Sequence, residues 1–135
     1  MSQVVNETVF EVVTTANGAV IVGSPNQSNR IRGTAEAIRI QGGDLADTLV
    51  AGGNPDMVIY GFDGNDSIIG GAGDNELYGN QGNDTIYGIA GNNLIYGGQG
   101  DDLIYGGDGN NSLSGDKGND TLVGGSGNDL SLIHI

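Results

Sequence analysis

Asp47, Asp66, Asp84, Asp102 and Asp120 recur at near-constant spacing, each inside a glycine-rich stretch. A carboxylate repeated in this way can serve acid/base chemistry, hold a hard cation or stand in water. Acid/base catalysis has little to work with. The only histidine is His134, there is no cysteine nucleophile, and the aspartates fall in turns with no pocket to pair them. A solvated acidic edge is costly, because carboxylates stacked about 5 Å apart repel by roughly 3 kcal/mol per neighbouring pair at an effective dielectric of 20. Ca²⁺ removes that difficulty by taking about six to eight oxygens, carboxylates and backbone carbonyls alike. Glycine lets carbonyls crowd round an ion with no Cβ in the way.

The elements that position these aspartates are written into a nine-residue phrase. From Gly79 to Val123 it reads GNQGNDTIY, GIAGNNLIY, GGQGDDLIY, GGDGNNSLS and GDKGNDTLV without a gap. Glycine holds the first and fourth places, Asp or Asn the sixth, Ile or Leu the eighth. The first six places favour tight turns and positive φ; the last three form a short strand whose middle residue faces the opposite way from its neighbours. Two such units make one coil, and coils stack about 4.8 Å apart as parallel strands. The expected fold is therefore all-β, a parallel β-roll (β-solenoid) with two nonapeptides per coil and a degenerate β-rich N-terminal cap.

One aliphatic ladder is expected from Leu49, Ile68, Ile86, Ile104 and Leu122, the other from Val58, Leu77, Ile95 and Leu113. Alternate turns fall on opposite edges, so the sixth places divide into two columns. Asp47, Asp66, Asp84, Asp102 and Asp120 form one; Asp56, Asn75, Asn93, Asn111 and Asp129 form the other. The first is a cation column. For the second, calcium ligation and an Asn hydrogen-bonding ladder both stand open.

Composition agrees. Gly 27 of 135 residues is far above the usual ~7%, and Pro 2 excludes a Pro/Gly linker or collagen. Without cysteine there is no disulfide frame, and a small domain then needs another staple. A net charge of −13 disfavours nucleic acid and anionic membranes and favours cations. No apolar run is long enough for a transmembrane span, and the N-terminus reads as a strand (Val4, Val9, Val12, Val13) rather than a leader.

Three segments divide the chain. Residues 1–41 keep the frame in weakened form, with eighth places at Val22, Ile31 and Ile40, and read as a cap that prolongs the coil without metal. Arg30, Arg32 and Arg39 give that cap the only basic stretch. Residues 42–129 carry the phrase, imperfect at Leu45 and Pro55. Tyr60 stands as one extra residue, expected to bulge the chain between strand and turn and to weaken a site between Asp47 and Asp66. Residues 130–135, LSLIHI, break the period and have the sequence a library adapter would encode; they read as a non-native tail on a longer polypeptide.

Residues 42–129 resemble the RTX, or hemolysin-type calcium-binding, β-roll family, most closely in GNQGNDTIY, GGQGDDLIY, GDKGNDTLV and GGSGND. The resemblance implies Ca²⁺ ions between adjacent turns on one edge. Their ligands would be the carboxylates of Asp47, Asp56, Asp66, Asp84, Asp102, Asp120 and Asp129. Carbonyls would come from the first four places of each turn, at Gly61, Gly64, Gly79, Gly82, Gly97, Gly100, Gly115 and Gly118. It also implies bacterial type I secretion and folding outside the cell. Asn75, Asn93 and Asn111 depart from the family's sixth-place Asp.

Other motifs carry less. Tyr78, Tyr87, Tyr96 and Tyr105 face outward at the ninth place, where cross-strand packing outweighs carbohydrate stacking. Thr48, Ser67, Thr85 and Thr121 form a row broken by Leu103, explained by β-propensity ahead of ice binding. Asn65, Asn83 and Asn119 begin glycosylation sequons that are by-products of the repeat. An EF-hand reading from Asp63 fails at Ile68, and Asp116 before Lys117 breaks a phosphate-loop reading. The expected function is a non-enzymatic, calcium-dependent folding module of a secreted protein. The alternatives are a metal-independent adhesive or ice-binding scaffold and a non-catalytic fragment of a secreted enzyme.

Overall fold

A strand of three residues buries one side chain, so each nonapeptide must find its partners in neighbouring coils. The computed structural model describes residues 10–15, 18–34, 37–52 and 56–133. Val4, Val9, Pro55 and His134 lie outside the described residues.

Among the described residues, fourteen strands run in chain order: β1 Phe10–Thr15, β2 Gly18–Gly23, β3 Arg30–Arg32, β4 Ala37–Gln41, β5 Thr48–Val50, β6 Val58–Tyr60 and β7 Ser67–Ile69. There follow β8 Glu76–Gln81, β9 Thr85–Tyr87, β10 Leu94–Gln99, β11 Leu103–Tyr105, β12 Ser112–Lys117, β13 Thr121–Val123 and β14 Leu130–Leu132. From β2 onward, even strands form one parallel sheet and odd strands the other. β1 closes the eight-stranded sheet by pairing antiparallel with β2. This is the β-roll expected from the period, with its two sheets facing each other across the core.

That core is two ladders of single side chains. Ile31, Leu49, Ile68, Ile86 and Ile104 descend one sheet in register, followed by the half-buried Leu122. Ile21, Ile40, Ile59, Leu77, Ile95 and Leu113 descend the other. Nearly all are fully buried, so each contributes about 1.5–3 kcal/mol of apolar burial. The repeating interface makes these contributions nearly equal from coil to coil.

Three sequence expectations shift by one residue. Ile59, not Val58, stands opposite Leu77, and Tyr60 pairs with Tyr78 inside the strand. The extra residue therefore sits in the turn before β6, not between strand and turn. Ile21, not Val22, stands beside Ile40, because β2 shifts register between Ala19 and Val20.

On the outer faces the aromatic residues fall into two files. Tyr60, Tyr78 and Tyr96 stack at 4.9 and 5.4 Å, nearly parallel, with Phe62 5.8 Å beyond Tyr60. Tyr87 and Tyr105 stack at 5.1 Å on the other sheet. Arg39 lies 5.8 Å from the Tyr60 ring centre, a cation–π contact within the same sheet. The rings cover one another's faces, the arrangement of cross-strand packing.

Candidate metal centre

Glycine at the first place and positive φ at the fourth let the regular turns fold their sixth residue inward. Gly64, Gly82, Gly100 and Gly118 have φ between 103 and 124°, a region closed to most L-residues. Asp66, Asp84 and Asp102 are thereby buried, at 1–3% exposure, and Asp47, whose turn has Leu45 at the fourth place, is buried at 3% in register with them along one edge. Asp120 completes the row, half-buried. Each carboxylate reaches back one coil. Asp66 Oδ1 accepts the Asp47 N–H, Asp84 Oδ1 the Asp66 N–H, Asp102 Oδ1 the Asp84 N–H and Asp120 Oδ1 the Asp102 N–H, all at 2.8 Å.

The second oxygen is different. Oδ2 of Asp66, Asp84, Asp102 and Asp120 is buried and accepts no hydrogen bond. It faces the Cα of the first-place glycine of its own turn: a Cβ added to Gly61, Gly79, Gly97 or Gly115 would collide with it. At Gly61 and Gly79 the same Cβ would also meet the first-place carbonyl oxygen of the next coil, that of Gly79 or Gly97. A buried carboxylate oxygen and a carbonyl oxygen thus line one small space with no donor between them. A group so desolvated is strongly disfavoured unless a cation or proton joins it.

The electrostatics follow. Burial pushes the Asp66 carboxyl up to about 8, Asp84 to about 7 and Asp102 to about 6, from an ordinary 3.8. The backbone N–H on Oδ1 pulls each down, and neighbouring carboxylates add a smaller upward push. Desolvation, more than the mutual repulsion that the spacing suggested, is the principal cost. Among the described residues no three acidic, His or Cys side chains converge on one point, so a cation here would draw on backbone carbonyls as well. The orphaned oxygens and glycine cradle suit Ca²⁺, a hard ion that accepts such mixed oxygen donors.

Asp47 stands apart from its column. Its Oδ1 accepts both the N–H and the side-chain Nδ2 of Asn29, and its Oδ2 accepts the Gly43 N–H at 2.7 Å. Asn29, which the sequence reading passed over as a lapsed place, is therefore the N-terminal end of this edge. The available signal was its position two residues before Ile31.

The opposite edge is built from amides. Asn75, Asn93 and Asn111 are buried and in register, with Asp129 half-buried below them. Asn75 Oδ1 accepts the Met57 N–H, Asn93 Oδ1 the Asn75 N–H, Asn111 Oδ1 the Asn93 N–H and Asp129 Oδ1 the Asn111 N–H. Met57, not Asp56, takes the inward place here and is 1% exposed. Asp56 is exposed one residue earlier, where its Oδ1 accepts the Asp74 N–H. The extra residue in that turn explains the displacement.

An outer ladder, unforeseen from the sequence, accompanies both columns. At the fifth place Asn65 Oδ1 accepts the Asn83 N–H, Asn83 the Asp101 N–H and Asp101 the Asn119 N–H, at 2.8–2.9 Å. Asp74, Asn92 and Asn110 repeat this on the other edge. The inner side chains reach back one coil and the outer ones reach forward one coil.

Residues 60–95, 78–113 and 96–130 each match the model of a family described as RTX calcium-binding nonapeptide repeat (4 copies). The chain belongs to that family. Its RTX repeats therefore form a calcium-binding structural module, a repeat architecture rather than a catalytic fold. No curated protein and no solved structure matches the chain. Among the described residues, no helix of this RTX chain is long and apolar enough to cross a membrane.

Proposed function

We propose that this RTX module uses Ca²⁺ as structural cement along its Asp edge, within a larger secreted bacterial protein that folds where calcium is plentiful. The observation that carries the reading is the file of buried Oδ2 atoms on Asp66, Asp84, Asp102 and Asp120, two of them shown beside a carbonyl oxygen. These carboxylates would hold the ions together with carbonyls of Gly61, Gly64, Gly79, Gly82, Gly97, Gly100, Gly115 and Gly118. Asp47, whose two oxygens already accept hydrogen bonds, closes the row. Asp129 ends the opposite edge, and the exposed Asp56 takes no part.

Bound calcium supplies positive charge where the fold has buried negative oxygen. The chain's residues do the rest: Oδ1 pins each turn to the coil before it, while glycine keeps the space open. Without the ion, desolvated carboxylates oppose the closed turn, so folding and binding are one event. The module has no catalytic role in this reading. Far-UV circular dichroism during a calcium titration tests it; strand signal should appear or sharpen with calcium. A spectrum unchanged through millimolar Ca²⁺, with strands already formed in chelator, overturns it in favour of a metal-independent scaffold.

A further inference from the structure

The two edges meet the same backbone with opposite polarity. On the Asp edge, an acceptor oxygen faces acceptor carbonyls. On the Asn edge, the corresponding atom is Nδ2, a donor. Asn93 Nδ2 lies within hydrogen-bonding distance of the Ala90 carbonyl at 3.1 Å, the Gly91 carbonyl at 3.3 Å, the Gly106 carbonyl at 3.5 Å and Asn111 Oδ1 at 3.2 Å. Asn111 Nδ2 does the same with the carbonyls of Gly107, Gly109 and Gly124 and with Asp129 Oδ1. Asn75 Nδ2 donates to the Gly73 carbonyl and to Asn93 Oδ1, each at 3.1 Å. Gly106 and Gly124 are first-place glycines of the following coil, the counterparts of Gly97 beside Asp84.

Asn29 repeats the arrangement on the Asp edge. Its Nδ2 donates to the Ser24 and Gln27 carbonyls and to Asp47 Oδ1, at 2.8–3.1 Å. Wherever an amide holds the sixth place among these turns, then, it donates from within the chain to carbonyls of its own turn, one at Asn75 and two at Asn29, Asn93 and Asn111. A neutral amide also avoids the desolvation cost of a buried carboxylate.

We infer that the Asn75–Asn93–Asn111 column is a metal-free lock, in which each side-chain amide stands in for a cation. The sixth-place residue then decides which edge of a coil is an ion site. The inference rests on the calcium reading above for the Asp edge. It makes the roll two-sided: one margin self-fastened, the other fastened by ions.

The test compares the full chain with N93D/N111D and with D84N/D102N, measuring calcium stoichiometry by calorimetry and thermal melting in EDTA. Expected results are additional bound ions and a lower EDTA melting temperature for N93D/N111D. D84N/D102N should show fewer ions and a higher EDTA melting temperature. Should the parent chain bind calcium while N93D/N111D gains no ions and D84N/D102N gains no metal-free stability, the lock is overturned. A parent chain that binds no calcium defeats the calcium reading instead, and the melting comparison of D84N/D102N still decides the lock. If N93D/N111D fails to fold even in saturating calcium, D84N/D102N decides it alone.

Discussion

Asp84 and Asn93 occupy the sixth place of consecutive turns on opposite edges, and each accepts a backbone N–H from one coil back, Asp66 at 2.8 Å and Asn75 at 3.0 Å. They differ in one terminal atom. Asp84 Oδ2 has no partner, whereas Asn93 Nδ2 reaches three carbonyls. Replacing either by alanine strips an acceptor from a buried N–H, a loss of about 1–3 kcal/mol. Asp84→Ala and Asp102→Ala should nevertheless raise the calcium midpoint of folding more than Asn93→Ala, since they also remove an ionic oxygen. In EDTA the order should invert, with Asn93→Ala losing most. Circular dichroism titrations and melts on the three variants check both halves.

Proton linkage gives a second expectation. The folded carboxyls of Asp66, Asp84 and Asp102 titrate above their ordinary value of 3.8, so between 3.8 and about 8 the folded chain holds more protons than the unfolded one. Metal-free stability is therefore greatest at the acid end of that window and falls as pH rises through it. In saturating calcium the trend should reverse, because protons and ions compete for the same oxygens. Melting in EDTA and in calcium at pH 5 and pH 8, on the order of three units apart across this window, would display the crossing.

Backbone strain at Ile89 gives a third. This β-branched residue holds φ 77° at the second place, where the same edge has Gly71, Gly107 and Gly125, and its side chain is 49% exposed. Left-handed φ costs an L-residue roughly 1–2 kcal/mol, and little packing offsets it here. Ile89→Gly should stabilise the roll by about 1 kcal/mol, read as a higher melting temperature at fixed calcium.

Gly79 should be far less tolerant. An added Cβ would strike Asp84 Oδ2 and the Gly97 carbonyl oxygen together. Overpacking of this kind costs about 1–3 kcal/mol, and here it would also fill the space proposed for the ion. Gly79→Ala should lower stability and weaken the calcium response. Gly71→Ala, where an added Cβ meets nothing within 4 Å, should lose stability through its φ of 83° yet keep that response. Calorimetric titration of both variants separates them.

The roll was legible from the chain because its core obeys a strict period. Ile86 and Ile104, like Ile95 and Leu113, stack where the eighth place puts them. Where the period slips, counting fails: nothing in the residues between Ala51 and Tyr60 says which side of the strand carries the extra one. The N–H of Met57 bonding to Asn75 Oδ1 settles the frame, and a hydrogen bond leaves no hydrophobic signature. Asn29 was missed for the same reason, since glycine and aspartate had lapsed around it. The polarity of the Asn edge was open because ligation and laddering use the same residue, and only the placement of Nδ2 against the carbonyls separates them.

Inner side chains reaching back and outer ones reaching forward, over steps of 18 residues, make the roll divisible only in whole coils. Excising 88–105 would rejoin Tyr87 to Gly106 and hand Asp84 a successor of its own kind, Asp120, so the shortened chain should still melt as one cooperative unit. Excising 88–96 alone would transpose everything downstream across the molecule, setting Asp102 under Asn75 and Asn111 under Asp84. Length here is quantised, and the quantum is the pair.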